Sequence, residues 1–225
     1  MQKILIIGNS NYARLVREYV DDLAFVWGGI KCIGFSVDGA YISDSTLDGL
    51  PVIAFEEISR SIPADSVKLV LAIGYQKLMK TRKDIYTRYS GLGYEFTNYI
   101  HPSAQIDSTA AIGNGNIFFE GVIVQKHARI GCGNLFWHRA MISHNDTVGD
   151  FNTFCANALL CGFVKVGDCA FFGSGAIVKD NVEIVGNNLV AAGAYVNRNI
   201  RENQAVIPPS SEYIKDYADL LAMSL

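Results

Sequence analysis

The stretch GNGNIFFEGVIVQKHARIGCGNLFWHRAMISHNDTVGDFNTF, residues 113–154, holds the pattern that decides the fold. An apolar residue stands at every sixth position: Phe118, Val124, Ile130, Phe136, Ile142, Val148 and Phe154. The same register runs outward without a break from Ile106 to Val196, sixteen positions in all. Half of the residues are hydrophobic, so a run of that length in any of six registers arises by chance on the order of one time in ten thousand.

A longer period lies over the hexads. Phenylalanine recurs at 118, 136, 154 and 172, glycine at 113, 131, 149 and 167, and asparagine at 116, 134, 152 and, after Ala170, at 188. Three hexads per 18 residues describe a coil with three flat sides, in which residue n lies beneath residue n+18 at the strand spacing of about 4.8 Å. Each coil points one apolar residue per side at the axis, and only stacking removes those residues from water, so roughly five coils must form together. The glycine column marks a corner that needs unusual backbone angles and leaves no room for a side chain. The asparagine column can hydrogen-bond along its own stack.

Upstream the pattern differs. KILIIG (3–8) reads as a buried strand, and Ala13, Val16 and Val20 follow at helical spacing. KCIGFSVD, VKLVLAIG and YEFTNYI supply further strands, with a helix in KLMKTRKDIYTRY. The alternation predicts a small parallel sheet with helices packed on it. The chain therefore divides into a Rossmann-like α/β domain (1–100), an all-β parallel helix (101–200) and an extension (201–225). After Pro208-Pro209 the extension is expected to end in an amphipathic helix carrying Ile214, Tyr217, Leu220 and Leu221.

Composition excludes several partners. A net charge of -3 offers no basic field for nucleic acid. No apolar run approaches the ~18 residues of a membrane span, and five cysteines without a CxxC pair suit reduced thiols rather than a zinc site or a disulfide framework. The expectation is a cytoplasmic protein whose partners are small molecules or proteins, without a metal.

In a parallel sheet, ligands lie beyond the carboxyl ends of the strands, here Gly8, Asn9 and Ser10, Asp38, and Gly74 and Tyr75. GNSNYA has one glycine where the dinucleotide fingerprint has three, although a helix beginning after Gly8 can still hold a phosphate.

The hexad repeat, with KILIIGNS, LAIGYQKLMKTRKDIY, NYIHPSAQI and ISHNDTVGDFNTFCANALLCGFVKVG in this order, resembles the left-handed parallel β-helix acyltransferases. The branch it resembles contains the nucleotide-amino-sugar N-acetyltransferases and the sialic acid O-acetyltransferase-like proteins. The resemblance implies the helix handedness and a homotrimer with acetyl-CoA between neighbouring subunits. It also implies a nucleotide-linked amino sugar, expected to be a 4-amino-4,6-dideoxyhexose, held by the N-terminal domain in glycan or lipopolysaccharide synthesis. It places the catalytic histidine at His144 in SHND, with Asn145 where relatives carry an orienting acid, and the thioester-supporting amide at Gly162. Ser174 and Ala192 are further implied cofactor contacts, and Arg82 is the implied basic residue on the helix after Tyr75, equally readable as part of a solvated helix face. Relatives close the helix with a basic turn that meets the CoA phosphates, where this chain has IPPSSEY and, nearby, Arg198, Arg201 and Lys215. The alternatives are O-acetylation of sialic acid or a related hydroxyl, and a non-catalytic trimeric scaffold that binds sugar nucleotides.

The spacing supports His144 independently. His144 and Gly162 share a column one coil apart, with Lys126 below and Asp180 above. His144 follows the inward Ile142 by two and should point away from the axis. A base and an amide donor at stacked-strand distance suit acyl transfer. His138 stands in another column, above Glu120 and below Ala156 and Ser174, where a structural role is expected.

Overall fold

The computed structural model describes residues 1–75, 77 and 79–210, with the backbone alone at 25–27. The expected C-terminal amphipathic helix, and Lys215 with it, lie outside the described residues.

The N-terminal domain is a five-stranded sheet. Its elements are β1 (Gln2–Ile7), α1 (Asn11–Trp27), β2 (Ile30–Val37), β3 (Thr46–Leu47), β4 (Leu50–Ala54), α2 (Ile58–Ser61), β5 (Lys68–Leu71) and α3 (Lys80–Gly91). The sheet order is β3-β4-β2-β1-β5, parallel except for the β3–β4 pair. Ser10 caps α1, its hydroxyl accepting from the Ala13 N–H, and Ala13, Val16, Val20 and Leu23 bury the inner face of that helix. Two features depart from the sequence reading. Residues 46–54 form an unforeseen hairpin and edge strand. YEFTNYI adds only a bridge from Phe96 to Leu69 before Tyr99–Ile100 joins the second domain, because the backbone there turns to meet the strand at Ile117–Phe118.

From Tyr99 onward the chain coils into a three-sided prism. One face has seven strands, from Tyr99–Ile100 to Ala205–Val206; the second has six, from Gln105–Ile106 to Tyr195–Val196; the third has five, from Ala111–Ile112 to Glu183–Gly186. All neighbours pair in parallel, with Ile123 opposite Met141 and Val124 opposite Ile142, the 18-residue step of the sequence. Phe118, Phe136, Phe154 and Phe172 stack along the axis with centroids 4.7, 5.0 and 4.5 Å apart and rings within 6° of parallel.

The polar columns behave as ladders. The Oδ1 atoms of Asn116, Asn134 and Asn152 each accept the backbone N–H one coil later, from Asn134, Asn152 and Ala170, all at 2.7 Å. Such pairing offsets the cost of burying the amide oxygens, while Nδ2 of Asn152 has no partner among the described residues. The glycine column has a different cause from the expected one. Its backbone angles are not left-handed, but a Cβ on Gly113 would stand 2.8 Å from the carbonyl carbon of Gly131, so close approach of the coils alone forbids a side chain. Left-handed residues fall elsewhere, at every sixth position from Gly115 to Gly193, with φ between 51° and 71°. Asn145 belongs to that series at φ 61°.

Among the described residues the α/β domain packs on the seven-stranded face and on its corner with the five-stranded face, where Lys83 Nζ lies 4.0 Å from Asp168. Ile117, Phe119, Leu135 and Trp137 point outward from the seven-stranded face into the core that also contains Ala13, Val16 and Val20 of α1. Tyr12 contacts Trp137 at a ring separation of 5.7 Å, and Tyr19 contacts Phe119 at 5.1 Å.

Candidate active site

His144 lies at the corner where the chain leaves the six-stranded face, after Met141–Ile142, for the five-stranded face at Thr147–Val148. Its backbone N–H donates to Gln125 Oε1 on the coil below at 3.1 Å. Its Nδ1 is 3.2 Å from Asn145 Oδ1. An amide oxygen only accepts, so this contact assigns the proton to Nδ1 and leaves Nε2 with its lone pair. The ring meets Phe163 edge to face at 5.2 Å.

Gly162 stands directly over this imidazole. A Cβ at Gly162 would lie 3.2 Å from Cε1 and 3.3 Å from Nε2, and φ is 101°, a conformation that side chains rarely adopt. Glycine is thus required both by its backbone and by the ring beneath it. The Asn145 side chain has a structural reason as well as an orienting one, since asparagine tolerates the left-handed corner that the hexad demands.

An open groove of about 730 Å³ runs from His144 and Asn145 down the six-stranded face, with Gln125, Lys126 and His127 along it and Asp107 at its lower end. Lys126 Nζ is 3.9 Å from Asp107. Gln125 was not singled out in the sequence, although it lies 18 residues before Ser143 and its column could have shown it.

Beneath the His144 corner Asp146 is fully buried. Its Oδ2 accepts the Ser143 N–H at 2.7 Å and its Oδ1 the Val164 N–H at 2.9 Å. Burial pushes its pKa up to about 6, opposed by those two amides, the His144 charge and the Gly162 amide. It occupies the same hexad position as the buried Asn116, Asn134 and Asn152.

The other expected site residues divide into separate groups. Gly8, Asn9, Ser10, Gly74 and Tyr75 gather at the carboxyl edge of the α/β sheet. A Cβ on Gly8 would meet the Ala72 carbonyl at 2.7 Å, Asn9 donates to the Tyr41 carbonyl at 2.8 Å, and exposed Tyr75 contacts Phe171 at a ring separation of 5.1 Å. Asp38 is held by a two-point pair with Arg88, at 2.7 and 2.9 Å, and the Arg88 guanidinium lies over Phe55. Ser174 and Ala192 are exposed on the corner between the seven- and six-stranded faces, across the six-stranded face from Gly162.

Arg82 requires a correction. It is neither a substrate contact nor part of a solvated helix face: it is fully buried, and its guanidinium donates to the carbonyls of Gly133, Leu71, Ile73 and Gly115. The first and last belong to the prism and the other two to the end of β5, so it joins the domains. His138 has the structural setting expected of it: its Nε2 is 3.0 Å from Glu120, whose other oxygen accepts from the Tyr19 hydroxyl of α1 at 2.6 Å. Among the described residues no cluster of His, Cys, Asp or Glu could hold a metal, and no helix is long and apolar enough to cross a membrane.

No family model matches the chain, and no curated protein matches it significantly. Solved structures do. The acetyltransferase domain of PglB from Neisseria gonorrhoeae FA1090 is 21% identical with a TM-score of 0.79, over 93% of this chain and 100% of its own. PerB from Caulobacter crescentus, in complex with CoA and GDP-perosamine, is 25% identical with a TM-score of 0.76, over 91% of this chain and 93% of its own. WeeI from Acinetobacter baumannii AYE is 19% identical with a TM-score of 0.66, over 92% and 97%. The fold is that of the left-handed β-helix sugar N-acetyltransferases.

In this N-acetyltransferase fold the contact between Gly162 and His144 gives a direct prediction. A Gly162→Ala variant is expected to fold but to displace the ring, lowering kcat roughly ten- to hundredfold, since small misplacements of reacting groups have effects of that order. Steady-state kinetics with a crystal structure of the variant check this; an unmoved ring with an unchanged kcat would contradict it.

Proposed function

We propose that the protein transfers the acetyl group of acetyl-CoA to the amine of a nucleotide-linked amino sugar, of the 4-amino-4,6-dideoxyhexose class. The observation that carries the reading is the His144 ring, with Nε2 free, seated against Gly162 at the head of the groove. The similar structures support it: PerB is described with CoA and GDP-perosamine, and the PglB domain with acetyl coenzyme A.

In this reaction the neutral amine attacks the thioester carbonyl. The C–N bond forms as the C–S bond breaks, His144 Nε2 accepts the amine proton, and CoA departs as a thiolate that takes up a proton from the site. The Gly162 N–H stabilises the developing oxyanion. Acetyl-CoA lies along the six-stranded face above His144, past Gly162 and towards the corner of Ser174 and Ala192. Arg198 and Arg201, which line a polar pocket at the upper end of the prism, are the described cations nearest to the altered closing segment and are assigned to the CoA phosphates. Gly8, Asn9, Ser10, Gly74 and Tyr75 receive the nucleotide, and Asp38 acts through its Arg88 pair.

The reading includes a homotrimer in the cytoplasm with active sites shared between subunits. Its support is geometric. The α/β domain covers the seven-stranded face, whereas His144 sits on the corner between the other two. A sugar nucleotide held by the α/β domain of one subunit is then presented to His144 of a neighbour. Ser174 and Ala192, exposed on the far corner, are in place to line the same inter-subunit cleft.

The test is release of free CoA thiol from acetyl-CoA with UDP-, dTDP- and GDP-linked 4-amino-4,6-dideoxy sugars, and with sialic acid as the competing acceptor. Release with one amino sugar is expected. Release with sialic acid alone would move the assignment to O-acetylation, and no release with any acceptor would favour a scaffold.

A further inference from the structure

Asp146 stands in a column position that the prism otherwise fills with small apolar residues or asparagine. The comparison with the asparagine ladder shows what it is for. Asn116 uses Oδ1 to accept the next coil's N–H and its Nδ2 to donate to the carbonyls of Gly113 and Gly131. Asp146 makes the same Oδ1 link, to Val164, but its second lobe faces another donor, the Ser143 N–H. An asparagine there would set an NH₂ group against an N–H. Only a carboxylate accepts on both sides.

The two amides it holds flank the two reacting groups. Ser143 precedes His144 in one turn, and Val164 follows Gly162 by two in the turn of the coil above. The Gly162 amide also approaches the carboxylate, and the His144 charge is felt by it. One buried group thus ties together the coil that carries the base and the coil that carries the oxyanion donor. Asn145, the neighbour that touches the imidazole, has no charge to offer.

We infer that Asp146 is a positioning residue for acetyl transfer, whose carboxylate sets the spacing of His144 and Gly162 and supplies the negative charge that balances the imidazolium formed when His144 takes the amine proton. This rests on the proposed acetyltransferase reading. The active form is the ionised one, because a protonated carboxyl would turn an O–H toward one of the two amides. The titratable groups that face Asp146 are His144 on its own turn and the Cys161 thiol on the coil above. Burial, then the charges of Asp146 and Asp180, push that thiol's pKa up. Directly below and above Asp146 in the column lie Ala128 and Val164, which do not titrate. With its pKa raised to about 6, the carboxylate loses its proton across the range in which many enzymes are assayed. The sign for stability is opposite to that for activity. A raised carboxyl pKa means that folding is favoured with the proton on, so this group's contribution is present below the ordinary carboxylate range and is lost as the pH rises to about 6.

Two measurements test the assignment. The first needs no substrate: backbone amide signals of Ser143, Val164 and Gly162, followed by NMR from pH 4.5 to 8, are expected to move together with one midpoint near 6. A Gly162 amide that does not follow Asp146 would overturn the link between the two coils. The second is kinetic. Asp146→Asn is expected to lower kcat at least tenfold with the KM for acetyl-CoA within twofold, and to remove the inflection near pH 6 from the kcat profile. A purely structural role would lower the melting temperature and leave that profile in place, which would sink the proposal. Should Asp146→Asn fail to fold, the wild-type amide titration still decides. Should the wild type transfer to no acceptor, the function is wrong while the titration still reports on Asp146.

Discussion

His144→Ala is expected to lower kcat for acetyl transfer by about 10²–10⁴, the usual contribution of a general base, while acetyl-CoA and sugar nucleotide still bind. The size follows from the chemistry of the acceptor. A neutral amine is already a nucleophile, so the reaction does not need the base to begin attack, only to remove the proton that makes the intermediate collapse backwards. What survives in the variant is the proximity of the two substrates and the Gly162 amide. The loss falls on kcat because, in the proposed reading, acetyl-CoA is held by the coils above, from Gly162 to Ser174 and Ala192, which the substitution leaves in place. The variant also removes the contact with Phe163 but no buried hydrogen bond, so the fold is expected to hold. Thiol release measured beside calorimetric binding of acetyl-CoA checks both halves. A kcat within threefold of wild type would show that solvent or another group takes the proton, and would leave His144 as a surface residue of the prism.

The second large effect concerns Arg82. An Arg82→Met variant is expected to lose about 3–5 kcal/mol of stability, because hydrogen bonds from a charged group are worth about 1.5–3 kcal/mol each and four are lost together. The carbonyls of Leu71, Ile73, Gly115 and Gly133 would each lose their donor inside the protein, at about 1–3 kcal/mol for an unsatisfied buried group. Relief of the guanidinium's own desolvation, which lowers its pKa to about 10, offsets part of that sum. Because two carbonyls lie on each side of the domain junction, urea unfolding is expected to separate into two transitions, with the α/β domain lost first. Arg82→Lys should recover only part of the loss, since an ammonium has three donors from one point and cannot reach four carbonyls spread around a plane. A single transition displaced by less than about 1 kcal/mol would mean that water replaces the guanidinium without difficulty. Sugar-nucleotide affinity should fall in parallel, because Ile73 precedes Gly74 and Tyr75 at the expected nucleotide edge.

The His144 column and the domain junction differ in how far the sequence reveals them. His144 and Gly162 could be paired on paper because a coil of fixed length turns sequence distance into spatial distance. The same arithmetic would have found Gln125 under Ser143. It did not show that Asn145 occupies a left-handed corner, since that corner, though mostly Gly and Asn, also takes His, Arg, Phe and Cys. Nor could it give Asp146 its partners, which depend on which lobe of the carboxylate faces which amide.

Sequence alone determined the prism, its 18-residue step, the inward phenylalanine stack and the α/β character of the first hundred residues. These follow from short-range rules: hydrophobic period, strand spacing, and the need of each coil for its neighbours. Tertiary structure decided what the two domains do to each other. Arg82 sits on a helix with two basic neighbours, Lys80 and Lys83, and nothing in that local pattern distinguishes the side chain that is buried from those that are solvated. Only the docking of β5 and α3 against the turns at Gly115 and Gly133 makes the difference. The same docking leaves the carboxyl edge of the α/β sheet on one face of the prism and His144 on the opposite corner. That separation exists because the α/β domain buries its apolar surface against Phe119, Leu135 and Trp137, a contact between segments about a hundred residues apart that no local rule encodes.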